Sequence, residues 1–538
     1  MVEKANNSHP SKRDNAWWNN RFYTVLISVA LIGGGCAFFI PLFITSYGPG
    51  DNVPGLRQAF LAITGGTLAI LTLWETRRKN DQEHMRQVHA ERRSRYATAI
   101  EQLADDKSAI RLGGVYTLAK LVDDWLDDEK TLPSMEKRRQ EGQIIIDNLC
   151  AYIRSSFPLA ERHDELTLSY EEYQQKYQDK NQVTQSVENS ADNSMPKAKH
   201  QENKQSSQSR EEFVRDKSLF REEQEVRQII LSEIKNRLNG GKTKNIDGRY
   251  EIKAGTWSSF NYDFSNTAFF YPVNLSGSHF GASSNFSGTT FTQDAEFSGA
   301  TFTQKAYFLK AKFTQNVYFS EAEFTQNVYF SGATFTQKAY FLKAKFTQKA
   351  YFSKAKFTQK AYFSKAKFTQ NAYFSRATFT QAYFSGATFT RADFAGATFT
   401  QDAYFFGATF TGSANFSKAI FEHNPIFGET EGFNLSSPAK FSCETNPEDY
   451  KFKVSPGSPY KIETKEQEYN GVKFIIPEDA MLFDPDNPFA WAEPAQATKS
   501  TLNNAFGTGV WALNNTFGTG VWADNWVSAN TRWYRSGG

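Results

Sequence analysis

The chain has 538 residues, enough for about two to four domains, and its 61 Lys and Arg nearly balance its 58 Asp and Glu. The net charge of +3 is too small to indicate a strongly charged partner for the whole chain. The three cysteines, Cys36, Cys150 and Cys443, are far apart and form no CxxC pair, which argues against a disulfide framework and favours a reducing compartment.

Two apolar segments near the N-terminus, with uncharged runs at residues 22–50 and 58–74, predict a hairpin of two transmembrane helices. A basic N-terminus, residues 1–21, precedes the first predicted span at residues 22–46, and the second span covers residues 56–75. The joining loop carries one acid and one base, whereas Lys and Arg are frequent before the first span and after the second. The positive-inside rule therefore predicts a multi-pass cell-membrane protein with both termini in the cytoplasm.

Two alternatives to a transmembrane hairpin need weighing. A pair of buried core helices would show the same composition and stays open at this point. A cleaved signal peptide does not fit, because the first segment is too long and a second span follows it. Directly after the second span, the cluster of Arg77, Arg78 and Lys79 is a candidate contact for anionic lipid headgroups.

Helical periodicity follows the predicted spans. Apolar residues recur at helical spacing between residues 76 and 160, which predicts a small juxtamembrane α-helical bundle. Residues 161–217 are rich in Gln, Asn, Ser and Lys and are expected to form a disordered linker. An amphipathic helix at residues 218–241, with Val226, Ile230 and Ile234 on one stripe, is expected to pack on the bundle or to cap the next domain.

From residue 255 to residue 427 the sequence repeats itself. Phe recurs at alternating steps of five and six, with Ala two places before most of them. Thirty such positions lie between Phe264 and Phe421, and one of them, Leu275, is not Phe. A helix would scatter these Phe around its axis, and a flat strand would turn successive ones to opposite faces. A coil that turns a corner every five residues keeps each Phe inside, so the repeat predicts a solenoid.

The repeat resembles the bacterial pentapeptide-repeat family, whose unit is A-(D/N)-L-x-x and which here takes the form A-x-F-x-x. This resemblance implies an all-β, right-handed quadrilateral β-helix with four units per coil and about seven to eight coils, roughly 35 Å long at the usual strand spacing. The segment "AIEQLADDKSAIRLGGVYTLAKL" after two spans also looks like the membrane-anchored bacterial members. This chain departs from the simple form by its Phe centres and by one extra residue in every second unit.

The extra residue is expected to form a bulge at two opposite corners of most coils. "FTQKAYF" takes six steps between its Phe residues, whereas Phe379 to Phe384 and Phe389 to Phe394 take five, so these two corners are expected to be regular.

Rows of Tyr and Lys on the outside of the rod are the candidate binding surface. Tyr faces are expected to alternate with Thr/Lys faces, so that the Tyr form two parallel ladders. Such rows suit proteins, glycans or nucleic acid, although stacked Tyr and Thr are also ordinary residues of solvent-facing strands. The candidate residues are Tyr307, Tyr318, Tyr329, Tyr340, Tyr351, Tyr362, Tyr373, Tyr383, Tyr404, Lys312, Lys345, Lys356 and Lys367.

The charge of the repeat bears on its partner. Between Phe264 and Phe421 there are 13 Lys and 2 Arg against 3 Asp and 3 Glu, a net charge of +9. The resemblance includes soluble, acidic family members that mimic DNA and bind topoisomerase, a role that suits a basic rod poorly. Nucleic acid is therefore not the expected partner, and a topoisomerase- or nucleic-acid-interacting protein is kept as the alternative.

The C-terminal part is the least regular. Residues 428–500 are expected to form a cap and loops, because solenoid ends need covering. Residues 501–538 contain the tandem pair "LNNAFGTGVWA" and "LNNTFGTGVWA" and are expected to be an exposed, partly disordered Trp/Gly-rich tail. Its glycines form no phosphate loop, because no Lys follows them.

No motif predicts catalysis. HExxH, GxSxG and GxxxxGK[ST] do not occur, and His84 and His89 are off the i,i+4 spacing of a helical metal pair. A cluster of acids is interpreted as a solvated helix end, because no His or Cys is near it: Asp123, Asp124, Asp127, Asp128 and Glu129. We therefore expect no enzyme and no cofactor, but a membrane-anchored scaffold whose β-helix binds an unknown protein partner.

Overall fold

The computed structural model describes residues 12–43, 53–176, 209–244, 250–428 and 437–486. The predicted tail at residues 501–538 lies outside these ranges, as does the middle of the predicted linker.

Two long helices form the N-terminal hairpin, α1 (Lys12–Phe43) and α2 (Val53–Leu103). Each contains a stretch long and apolar enough to cross a membrane, and almost none of either stretch is buried within the protein. Large apolar side chains such as Leu31 and Leu73, each 71% exposed, cover their outer surfaces. A pair of buried core helices, the alternative considered above, does not match this exposure.

Helix α2 continues without a break beyond the predicted second span. It has 51 residues, so at 1.5 Å per residue it extends about 40 Å past residue 75. The second candidate span and the first helix of the bundle are therefore one element.

The predicted helical bundle is present. It consists of the distal half of α2, α3 (Ser108–Leu126), α4 (Met135–Arg154), a 3-10 turn (Pro158–Arg162), the short α5 (His163–Leu166) and α6 (Arg210–Leu238). Most side chains of its core are aliphatic. Fully buried examples from three helices are Leu118, Val122, Ile146 and Ile230.

The predicted linker at residues 161–217 is wrong at both ends. Leu166 and Tyr173 are buried, and the ring of Tyr173 stacks on Phe213 at 4.8 Å, so both flanks fold onto the bundle. Helix α6 begins at Arg210 rather than at residue 218, because the Ser209 side chain accepts a hydrogen bond from the Glu212 N–H and caps it. Because the segment has few apolar residues, its sequence did not indicate that Tyr173 and Phe213 pack on the bundle.

A β-hairpin of β1 (Asn239–Lys244) and β2 (Tyr250–Ala254) leads into a parallel β-solenoid of about seven turns. Its four faces are named here in chain order. Face 1 contains β3 (Tyr262–Asp263), β7 (Ser284–Asn285), β11 (Ala306–Tyr307), β15 (Val328–Tyr329), β19 (Ala350–Tyr351), β27 (Ala414–Asn415) and β30 (Tyr450–Lys451). Face 2 contains β4 (Ala268–Phe269), β8 (Thr290–Phe291), β12 (Lys312–Phe313), β16 (Thr334–Phe335), β24 (Thr398–Phe399) and β28 (Ile420–Phe421).

The other two faces complete each coil. Face 3 contains β5 (Val273–Asn274), β9 (Ala295–Glu296), β13 (Val317–Tyr318), β17 (Ala339–Tyr340) and β25 (Ala403–Tyr404). Face 4 contains β6 (His279–Phe280), β10 (Thr301–Phe302), β14 (Glu323–Phe324), β18 (Lys345–Phe346), β26 (Thr409–Phe410), β29 (Lys440–Ser442) and β33 (Met481–Phe483). Four longer strands run across a corner and belong to two faces, β20 (Lys356–Tyr362), β21 (Lys367–Tyr373), β22 (Thr378–Tyr383) and β23 (Thr388–Asp393).

The Phe residues fill the interior in four columns, as the repeat predicts. Within a column the rings of successive coils are parallel and close, for example Phe319 on Phe341 at 5.1 Å and Phe341 on Phe363 at 4.7 Å. Rings from different columns meet edge to face, as Phe341 and Phe352 do at 5.5 Å and 89°. Each large ring is fully buried, and the small Ala two places before it leaves room for the ring.

The corners are of two kinds. At one kind the chain makes a hydrogen-bonded turn in which the residue two places after Phe has a positive φ, as at Lys354 (φ 60°) and Gly332 (φ 69°). The other kind carries the extra residue. The pairing of β20 with β22 shifts register between Phe357 and Lys360, because β20 has one more residue than β22. The predicted bulge, and its loss at Phe379–Phe384 and Phe389–Phe394, are confirmed.

Both ends of the rod are covered. At the N-terminal end α4 and α6 pack against the first coil, where Trp257 and Phe260 are fully buried. At the C-terminal end β29, β30 and β33 continue faces 4 and 1, and a hairpin of β31 (Thr464–Tyr469) and β32 (Val472–Pro477) follows β30 in the chain. Helix α6 thus both packs on the bundle and caps the rod.

Candidate functional site

The candidate Tyr residues form two ladders on opposite faces of the rod. On face 3, Tyr318, Tyr340, Tyr362, Tyr383 and Tyr404 stack at centroid distances of 4.8–5.0 Å. On face 1, Tyr307, Tyr329, Tyr351 and Tyr373 stack at 4.9–5.1 Å. The split into two ladders is confirmed, while their use as a binding surface stays a prediction.

The Tyr side chains of both ladders are half-buried. Burial against neighbouring rungs raises the pKa of Tyr340, Tyr351 and Tyr362, and burial together with the Tyr404, Tyr362 and Asp402 charges raises that of Tyr383 to about 12. A phenol hydroxyl can both donate and accept a hydrogen bond. The ladders thus present flat, amphipathic edges.

The candidate Lys residues lie on the other two faces. Lys312 and Lys356 are on face 2, and Lys345 and Lys367 are paired neighbours on face 4. The Lys345 ammonium lies 3.3 Å from the Glu323 carboxylate in the preceding coil. The candidate residues therefore surround the rod and do not converge on one site.

The positive charge of the rod is concentrated in its middle coils. From residue 324 to residue 392 there are nine Lys and two Arg but no Asp or Glu. Most of these side chains, including Lys338, Lys354 and Lys365, are exposed. Any polyanion that contacts the rod is expected to do so here.

A role for the Thr that follows every second Phe of the repeat was missed by the sequence analysis. The Thr314 N–H and hydroxyl both donate to the Phe291 carbonyl of the preceding coil, at 2.9 Å and 3.0 Å. The same hydroxyl bond recurs at Thr358 and Thr369. This bond gives the Phe carbonyl at a corner a hydrogen-bond partner. The recurring "FT" pair in the 11-residue unit was the sequence feature that could have predicted it.

The interpretation of the acidic cluster as a solvated helix end is wrong for three of its five members. Asp123 accepts from the Arg237 guanidinium and from the Trp257 indole N–H at 2.8 Å, and thereby joins α3 to the rod. Asp124 and Asp128 form ion pairs with arginines of α2. These partners lie on other elements, so helical spacing gave no indication of them; it indicates only the additional i,i+4 pair of Asp124 with Lys120.

Further hydrogen bonds fix the bundle on the rod. Gln143 donates to the Asn261 carbonyl and accepts from the Asn261 N–H, both at 2.9 Å, and Gln224 donates to the Phe270 carbonyl at 2.8 Å. Buried Arg227 links Glu223 of its own helix to the Ile153 carbonyl of α4. Because α2 runs without a break from the second candidate span into the bundle, these bonds connect the candidate spans to the β-helix.

The predicted lipid-contact residues lie in the first turn after the apolar part of α2. The Arg78 guanidinium pairs with Glu75 at 2.9 Å, and the Lys79 ammonium is 3.7 Å from the same carboxylate. Glu75 therefore offsets part of the charge of this cluster. Contact of Arg77, Arg78 and Lys79 with lipid stays a prediction.

The described residues contain no group of three His, Cys, Asp or Glu that could hold a metal ion. Cys36, Cys150 and Cys443 are all free thiols. Burial raises the pKa of the Cys150 thiol to about 12, so this buried residue is an inert part of the core.

The fold and the site define a quadrilateral parallel β-solenoid with a Phe core. Comparison with known families agrees: a family model described as pentapeptide repeats matches residues 264–311, 297–345, 341–388 and 384–431. Residues 264–431 thus consist of pentapeptide repeats, and these repeats form the solenoid. A search of curated proteins and a search of solved structures each found no significant match.

Proposed function

We propose that this protein is a non-enzymatic, membrane-anchored scaffold whose β-helix presents a rigid surface to a protein partner on the cytoplasmic side. One observation carries the proposal. Helix α2 runs without a break from the exposed apolar hairpin into the helical bundle, and the bundle packs on the end of the β-helix. A rod held near a membrane in this way is better suited to positioning a partner protein than to catalysing a reaction.

The anchoring part of the proposal is supported by exposure. The candidate spans in α1 and α2 are 6% and 0% buried, so their apolar side chains need a nonaqueous environment that the described chain does not supply. Basic residues flank both spans on the same side, which supports a cytoplasmic rod.

The binding part of the proposal is supported by the surface of the rod. Faces 1 and 3 carry Tyr ladders bordered by Lys and Ser, and Tyr supplies large contact area at a small cost in side-chain entropy. A rigid, repetitive surface also reduces the ordering cost of binding.

Site-specific photocrosslinking of the full chain in the membrane tests this function. A photoreactive amino acid at Tyr340, in the middle of the face 3 ladder, is expected to give a discrete crosslinked species on denaturing gels. The matched control is Thr336, an exposed residue at the preceding corner of the same coil. Crosslinking equal at both positions, or at neither, would contradict a partner on the Tyr ladder.

A nucleic-acid-interacting protein is the second candidate, favoured by the uninterrupted positive charge of residues 324–392. If this role is correct, the full chain in neutral detergent shifts duplex DNA in a gel, with an affinity that falls steeply as salt rises. No shift at low salt would eliminate it.

A further inference from the structure

The Tyr ladder on face 1 has four Tyr residues, one fewer than the ladder on face 3. Tyr307, Tyr329, Tyr351 and Tyr373 occupy successive coils, but the register then pairs Tyr373 with Asp393. A carboxylate is too small to cover a phenol ring, so one ring face of Tyr373 has no aromatic neighbour in the next coil. A cleft of about 210 Å³ lies at this position.

Two irregularities of the rod shape the cleft. The corner before Asp393 lacks the extra residue, so Arg391 lies opposite Asn371. The following coil on face 1 continues into the C-terminal cap, which brings Asp449 and Lys451 to the upper rim. These two features distinguish this coil from the four Tyr-bearing coils below it on face 1.

The rim offers both donors and acceptors. Asp393 Oδ1 accepts from the Asn415 amide at 3.0 Å and from the Ala395 N–H at 3.1 Å, whereas Oδ2 accepts no bond from any residue that the structure describes. Arg391, Asp449 and Lys451 are exposed and make no ion pair within the described ranges. Two cations and two carboxylates thus give the rim no net charge.

We propose that this cleft binds a single sugar ring, which takes the place of the next rung above Tyr373. A pyranose has an apolar C–H face that can lie on the phenol and a hydroxyl edge that can reach the rim. Each hydroxyl both donates and accepts, so it can bond to Asp393 and to Arg391 or Lys451 at the same time. The volume lies below the roughly 300 Å³ of drug-sized pockets, which limits the ligand to about one ring.

Other ligands fit the rim less well. A phosphate or other anion would meet the carboxylates of Asp393 and Asp449, and a cation would meet Arg391 and Lys451. An aromatic side chain would stack on Tyr373 but would desolvate the charged rim without pairing it, which is costly. A neutral polyhydroxyl ring can both stack on the Tyr373 ring and form hydrogen bonds with the charged groups of the rim.

The test is saturation-transfer NMR on the full chain in a polyoxyethylene detergent, because maltoside detergents would themselves supply sugars. One arm uses the methyl glycosides of glucose, galactose, mannose and N-acetylglucosamine. A second arm uses oligosaccharides that end in the same sugars. We expect transfer to the protons of one ring face of at least one sugar, with a dissociation constant of about 1 mM. Tighter binding of the oligosaccharide identifies a glycan as the source, and equal binding identifies the free sugar.

Two acid-to-Tyr variants provide the decisive comparison. Asp393→Tyr places in the cleft the residue that occupies this register in the coils below, so it is expected to fold and to abolish transfer. The matched control is Glu296→Tyr, which extends the ladder on face 3 below Tyr318 and leaves the cleft intact. Transfer in neither arm, or transfer that survives Asp393→Tyr, would overturn the proposal. Transfer to N-acetyl-tyrosinamide without transfer to any sugar would instead assign the cleft to a protein side chain.

Discussion

At the scale of single residues, the rod depends on one aromatic ring and one methyl group repeated in register. Phe341 contacts parallel rings above and below and an edge from Phe330 at 5.5 Å, so its removal leaves a cavity on several sides. The outward Tyr340 next to it is half-buried and stacks on two rungs only. Burial, rather than aromatic character, thus separates the core from the surface of the rod.

Phe341→Ala is expected to lower the free energy of unfolding by about 3–5 kcal/mol, because it loses buried area and opens a cavity between rigid rings. Tyr340→Ala, its neighbour and control, is expected to cost only about 0.2–1 kcal/mol. Urea titration of the full chain in detergent, followed by circular dichroism of the β-sheet, measures both. Similar losses for the two variants would show that the Phe columns do not dominate stability.

Asp128 makes the bundle sensitive to acid. Burial acts to raise the pKa of its carboxyl, but hydrogen bonds from the Thr131 side chain and N–H, and the Arg92 guanidinium, outweigh burial and lower the pKa to about 2. The charged form is favoured in the folded state. Its stabilisation is therefore complete above the unfolded pKa of about 3.9 and is lost as the pH falls toward 2.

Asp128→Asn is expected to destabilise the bundle at pH 7 by about 1–2 kcal/mol and to flatten its loss of stability between about pH 4 and pH 2. The control is Asp127→Asn, an exposed neighbour for which the structure gives no ion pair among the described residues. Unfolding midpoints of the two variants, measured by circular dichroism of the helices at several pH values, test this prediction. An unchanged pH profile in Asp128→Asn would contradict the assignment.

At the scale of elements, the corners show a conflict between sequence and backbone. Half of them require a positive φ, which Gly adopts freely, yet Lys310, Lys343, Lys354, Lys365 and Arg376 occupy such positions. Because stacked coils repeat the same turn, the hydrogen-bond ladder holds these residues in place. The Lys side chains are retained at some cost in backbone energy, which is consistent with a use for their charge.

Exchanging residues at one corner measures this cost. Lys354→Gly is expected to raise the free energy of unfolding by up to about 1 kcal/mol, since relief of the left-handed strain exceeds the added entropy of the unfolded chain. Gly332→Ala, at the same corner one coil earlier, is expected to lower it by about 1 kcal/mol. Thermal melts of the two variants test the pair, and shifts of the same sign would contradict it.

At the scale of the whole molecule, the sequence predicted regular features well and irregular ones poorly. The Phe columns, the bulged corners and the two Tyr ladders follow from a period repeated many times in phase. The anchors Phe213 and Tyr173 lie in a polar segment, and the partners of Asp123 are more than a hundred residues away, so no local pattern marked them. In the sequence, the cleft beside Asp393 corresponds only to one Asp where the four preceding coils have Tyr. Its position next to Tyr373 follows from the register of the stacked coils.

We propose above that α1 and α2 hold the rod on the cytoplasmic side of a membrane. Protease accessibility of the β-helix, in intact spheroplasts and in inverted membrane vesicles of a bacterial host, tests it most directly. Detergent-solubilised protein provides the control that the rod is cleavable at all. We predict cleavage in inverted vesicles only, and cleavage in intact spheroplasts would contradict the account.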